Sequence, residues 1–133
     1  MYNLFHARGK LAYQKKGTGK ETFLIFHGFG QSFHDMLPFD QLRKAGQKLL
    51  FIDLFYHGKS HWRDAANPLT KSVWKEIIVS LQMQEDFQDF HLIGYSMGGK
   101  FSLFTFELFS HQVLSLTLLA PDGIKTGLWY GMG

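Results

Sequence analysis

Cysteine is absent from this 133-residue chain, and proline occurs only three times. The first absence excludes disulfide frameworks, thiolate nucleophiles, iron–sulfur clusters and cysteine-ligated zinc, so packing alone must hold the interior. No apolar run approaches the length of a membrane span. The opening residues Met1 to His6 lack the basic stretch and apolar run of a signal peptide. Charge of neither sign is gathered: 14 Lys and Arg against 11 Asp and Glu leave +3. Only Lys15, Lys16 and Lys20 cluster, around a Gly-Thr-Gly turn that reads as a solvated tip. Nucleic-acid and membrane partners are therefore not expected, and a cytoplasmic soluble protein is. What abounds is phenylalanine, 14 in all, within a hydrophobic share of 45%. At this length one globular domain is expected, its buried area supplied largely by phenyl rings.

Four short runs rich in Phe, Ile, Leu and Val recur, at Phe23 to Phe26, Leu49 to Phe55, Phe90 to Tyr95 and Val113 to Ala120. Near-continuous hydrophobicity over so few residues predicts parallel strands covered on both faces. Between them, Lys71 to Glu85 places Val73, Trp74, Ile77, Ile78 and Leu81 on one helical face, with Thr70 as N-cap. Gln31 to Ala45 opens with Ser32 and Asp35 at capping-box spacing, and Pro38 should shorten or kink it. Gly99 to Ser110 carries Phe and Leu around much of its circumference and predicts a buried central helix. Leu4 to Arg8 and Lys10 to Lys16 suggest an antiparallel hairpin turning near Gly9. The order β-β-β-α-β-α-β-α-β is that of an α/β protein with a doubly wound, mostly parallel sheet and an antiparallel start.

The strongest chemical signal is Gly94-Tyr95-Ser96-Met97-Gly98-Gly99. The pentapeptide alone fits a serine capping an ordinary helix as well as a G-x-S-x-G nucleophile elbow. Its place directly after one predicted strand and before a predicted helix favours the elbow. There the serine projects above the carboxyl ends of the strands, beside a helix N-terminus that favours developing negative charge. His27-Gly28-Phe29-Gly30 follows the strand Phe23 to Phe26 and so lies at the same end of the sheet. A third motif, Asp53-Leu54-Phe55-Tyr56-His57-Gly58-Lys59-Ser60, follows the next strand.

In these three motifs the chain resembles the α/β-hydrolase family. The resemblance implies Ser96 as nucleophile and an oxyanion hole made by the backbone N–H groups of Phe29 and Met97. The segment from Asp53 to Ser60 matches a turn whose role in the family is mainly structural. A serine at the elbow points away from the related dehalogenases and epoxide hydrolases, which carry Asp there. The implied reaction is hydrolysis of a carboxylic ester or similar small-molecule acyl compound, with no cofactor and no metal. His57 and His61, four apart in a loop, lack a third ligand. Gly28-x-Gly30 lacks the third glycine of a dinucleotide fingerprint, since Phe33 occupies that position.

The departure from the family pattern concerns the base. The triad runs Ser, then Asp or Glu, then His, and the sole histidine after Ser96 is His111. It lies at the far end of the helix that starts at the elbow, roughly 20 Å away at 1.5 Å per residue. Asp122, after the sixth predicted strand, stands where some family members place the acid, but a Pro-Asp-Gly turn is also a common use of Asp. The chain therefore reads as the N-terminal part of an α/β-hydrolase core, residues 1–122, truncated after the sixth strand. Residues 123–133 would begin a cap or form a tail. Alone it should be inactive for want of the triad histidine. The alternative is a hydrolase-like fragment or binding scaffold. The Val113 to Ala120 edge is expected to self-associate or to pair with a complementary C-terminal fragment.

Overall fold

The computed structural model describes residues 1–119. Seven strands form one sheet: β1 (Tyr2–His6), β2 (Gly9–Lys16), β3 (Glu21–Phe26), β4 (Gln47–Ile52), β5 (His61–Trp62), β6 (Phe90–Tyr95) and β7 (Val113–Leu119). Two α-helices, α1 (Lys71–Glu85) and α2 (Met97–Leu108), and a 3₁₀-helix (Phe33–Leu42) connect them. The strand order is β1-β2-β4-β3-β6-β7, with β5 pairing β2. β3, β4, β6 and β7 run parallel, and β1, β2 and β5 join antiparallel. Residues 120–133, including Asp122 and the expected cap or tail, lie outside the described residues.

Alternation along β3 and β4 explains the two faces. Leu24, Phe26, Leu50 and Ile52 point into a core with Trp74, Ile77, Ile78 and Leu81 of α1. Ile25, Leu49 and Phe51 point the other way, against Phe33 and Met36 of the 3₁₀-helix. Both faces of these central strands are thus covered, as their unbroken hydrophobicity requires. α1 has the bounds its pattern predicts, and Thr70 Oγ1 accepts from Val73 N–H at 3.2 Å.

Four expectations are corrected. The segment after Ser32 winds as a 3₁₀-helix, because Pro38 lacks the N–H an α-helix needs and crowds the preceding turn. The predicted capping box between Ser32 and Asp35 still forms, Asp35 Oδ2 accepting from Ser32 N–H at 3.0 Å. The strand β4 stops at Ile52, since the Asp53 carboxylate turns the chain, and a two-residue strand, β5, was not foreseen. α2 does not bury its phenylalanines: its buried residues are Gly98, Gly99, Ser102 and Thr105, while Phe106 is exposed. The residues it buries fully are small, which lets the helix approach the sheet closely, while Met97, Phe101 and Leu108 pack against the core only partly buried. A Cβ on Gly94 would stand 2.5 Å from both Gly98 O and Ser102 Oγ.

Candidate active site

β3 and β6 are neighbours, and the connections that leave them diverge: the chain goes from β3 to β4 on one side and from β6 to β7 on the other. A crevice at the carboxyl ends of two such strands is where open α/β sheets place their ligands. Ser96 stands at the end of β6 and the loop 27–32 at the end of β3.

Ser96 has φ 54° and ψ −115°, a positive-φ conformation that costs a non-glycine residue about 1–3 kcal/mol. Its side chain makes no capping hydrogen bond, which sets aside the reading of an ordinary helix cap. Backbone contacts hold the strain: Ser96 N–H donates to Leu119 O at 3.1 Å, and Ser96 O accepts from Gly99 N–H at 2.9 Å. The second glycine of the motif answers to the neighbouring strand. A Cβ on Gly98 would lie 2.3 Å from Phe26 O and 2.6 Å from His27 O, so the start of α2 abuts the end of β3. On the other side of the elbow the Tyr95 ring lies against Gly28, where a Cβ would come within 2.9 Å of it.

The loop after β3 is held amide by amide. Gly28 N–H donates to Gln31 Oε1 at 2.8 Å, and Gly30 N–H donates to His57 Nε2 at 3.0 Å. Between them the Phe29 N–H has no acceptor among the described residues, and neither has Met97 N–H in the first turn of α2. The Phe29 side chain is 80% exposed, its ring edge-on to His57 at 5.7 Å. The loop is therefore fixed on both sides of one unclaimed donor.

Both histidines here are braces. His27 is buried, and its Nε2 accepts from Leu54 N–H at 2.9 Å, so its proton sits on Nδ1 and is donated to Gly28 O at 2.7 Å. Burial pushes this imidazole below the ordinary histidine value and keeps it neutral. His57, whose Nε2 accepts from Gly30, donates from Nδ1 to Phe55 O at 3.0 Å. With both nitrogens engaged it offers nothing to a metal or to Ser96.

Asp53 is fully buried and acts in the same structural way. Oδ1 accepts from Phe33 N–H at 2.6 Å and Oδ2 from Lys59 N–H at 2.9 Å. Ser60 donates to Asp53 O and accepts from Ala12 N–H at 2.8 Å. Gly58, at φ 54°, passes so near that a Cβ would lie 2.2 Å from Asp53 Oδ2. Sequence reasoning gave these residues a structural role but missed the brace from His57 to Gly30 and that from Gln31 to Gly28. Spacing signals neither, because both partners meet only through the fold. His111 lies past the end of α2, remote from the elbow, and Asp122 falls outside the described residues. Among the described residues no histidine bonds Ser96.

A profile of the alpha/beta hydrolase fold matches residues 21–133. The chain belongs to the alpha/beta hydrolase fold family. Among curated proteins it is 30% identical over 115 residues to the dihydrolipoyllysine-residue acetyltransferase component of the acetoin cleaving system of Cupriavidus necator, covering 86% of this chain and 30% of that protein. It is 24% identical over 110 residues to the proline iminopeptidase of Lacticaseibacillus rhamnosus, covering 83% and 38%. The chain thus spans well under half the length of these relatives. Among solved structures it superposes on a marine microorganism esterase with a TM-score of 0.69 at 24% identity, covering 81% of this chain and 40% of that one. For an N-acyl homoserine lactonase the TM-score is 0.72 at 19% identity, covering 88% and 43%. These structural likenesses show the fold. No helix among the described residues is long and apolar enough to cross a membrane.

Proposed function

We propose that the chain is the nucleophile-bearing part of a serine hydrolase that acts on a carboxylic ester or similar small acyl substrate. Ser96 Oγ attacks the carbonyl carbon, the Phe29 and Met97 amides hold the resulting oxyanion, and the alcohol leaves before water releases the acid. The proton of Ser96 passes to a histidine supplied from outside these 133 residues. The observation that carries this reading is the serine held at φ 54° next to a loop whose flanking amides are claimed and whose Phe29 amide is not. An iminopeptidase relative cleaves an acyl bond by its name, which agrees with acyl chemistry at this elbow.

Hydrolysis of 4-nitrophenyl acetate by the chain and by Ser96→Ala tests it. The expected rate is far below that of a full triad, with a small Ser96-dependent excess left by the oxyanion donors. Full hydrolase turnover that vanishes in Ser96→Ala would mean that a base lies within this chain. The engagement of both nitrogens of His27 and of His57 also favours a second reading, a hydrolase-like scaffold that binds acyl compounds without turning them over. No Ser96-dependent excess at all would favour it.

A further inference from the structure

Tyr56 occupies a position that turn chemistry reserves for small residues. His57 N–H bonds Leu54 O at 3.0 Å, closing a turn in which Tyr56 is the third residue, with φ 68°. Positive φ there belongs to type II turns, where Gly or Asn avoids a clash of Cβ with the backbone. A bulky aromatic in this conformation is an outlier that persists only for a reason, and outliers of this kind gather at ligand sites. The residue is 75% exposed, so core packing is not the reason.

Tyr56 lines a cavity of about 320 Å³ whose other walls include Phe55, Leu69, Trp74, Phe101 and Phe104. The Trp74 indole N–H is already spent on Thr105 Oγ1 at 2.9 Å, and Thr70 Oγ1 accepts from Val73 N–H as the cap of α1. Lys71, the one charged wall residue, is neutralised by Glu107 at 2.8 Å and lies over the Phe104 ring. The walls therefore offer no unmatched charge and suit an uncharged occupant. An apolar cavity of about 150 Å³ takes benzene, and this one is about twice that size. Two of its walls, Phe101 and Phe104, belong to α2, the helix that begins at the elbow, and Phe101 stands five residues beyond Ser96, roughly 7.5 Å of rise along the helix axis. The turn that carries Tyr56 continues into His57, the brace of the oxyanion loop.

We propose that this cavity is the subsite for the uncharged apolar group of the substrate, a medium-length alkyl chain or an aryl-alkyl group, with Tyr56 as its specificity residue. The proposal rests on the serine-hydrolase reading and deepens it. The test is a titration of the 133-residue chain with 4-phenylbutan-1-ol, following the Trp74 indole N–H by nuclear magnetic resonance. The expected result is a saturable shift, unchanged in Ser96→Ala. In Tyr56→Gly affinity should fall several-fold while the melting temperature holds or rises, because glycine relieves the positive φ. Leu69→Trp, which fills the cavity, should weaken binding about tenfold, and Phe104→Trp gives the same reading if the first variant folds poorly. No saturable shift, or an affinity that Tyr56→Gly and the filled variants leave intact, overturns the proposal. A Ser96 that cannot be acylated would defeat the hydrolase reading while probe binding persisted, so the two failures are distinguishable.

Discussion

At position 96 the chain holds a serine in a conformation that glycine would adopt at no cost, and the surroundings show how. Ser96 is tied through its own N–H and C=O, and the glycines two residues to either side let β3 and α2 close in on it. Gly98→Ala should therefore lower stability by about 1–3 kcal/mol, since its Cβ meets backbone oxygens that cannot step aside. Denaturant titration reads this directly, and an unchanged midpoint would contradict the close approach. His27 makes a second residue-scale prediction. Burial lowers its folded value below the ordinary 6.5, so the unfolded chain takes the proton first. The stability it contributes is whole above pH 6.5 and is lost as pH falls from there through the depressed folded value. Melting temperatures across this range should fall more steeply for the wild type than for His27→Gln. Parallel profiles would mean that the buried imidazole does not govern the loss.

Among the elements, α1 was fully legible, because its apolar spacing and Thr70 are local signals that tertiary contacts only reinforce. α2 was legible as a helix and misread as to its buried face. Phe101, Leu103 and Phe104 promise burial by composition, yet the residues α2 buries fully are Gly98, Gly99, Ser102 and Thr105, and Phe101 packs against the core only partly buried. What decides this is the distance between helix and sheet, which sequence periodicity does not carry. β7 was legible as a strand, and among the described residues it is the last strand of the sheet, pairing β6 and nothing beyond. Its residues Val113–Leu119 include no charge and no proline, and Leu114 is 58% exposed. We expect this edge to pair with a second copy of the chain or with a complementary C-terminal fragment, or else to leave the isolated chain poorly soluble. Sedimentation at tens of micromolar should show association, and Thr117→Lys should weaken it. A stable, soluble monomer of the unsubstituted chain would count against edge pairing.

At the scale of the whole molecule, the fold brings to one end of the sheet three motifs that are far apart in sequence: the loop 27–30, the turn 53–60 and the elbow at Ser96. Each was visible in the sequence because each packs glycines and polar side chains into a few consecutive residues. The links between them were not. That His57 braces Gly30, and that Asp53 accepts from Phe33 as well as Lys59, follows from strand order and not from any local pattern. The resulting site has a serine held at positive φ and backbone donors without acceptors, and among the described residues no histidine bonds that serine. Supplying a base from solution is the most direct test. The chain and its Ser96→Ala variant are exposed to 4-nitrophenyl acetate with and without added imidazole, and the acylated residue is mapped by mass spectrometry. The account predicts an acyl group on Ser96 that builds up faster with imidazole and is lost in the variant. Acylation that spares Ser96, or triad-level turnover without imidazole, would contradict it.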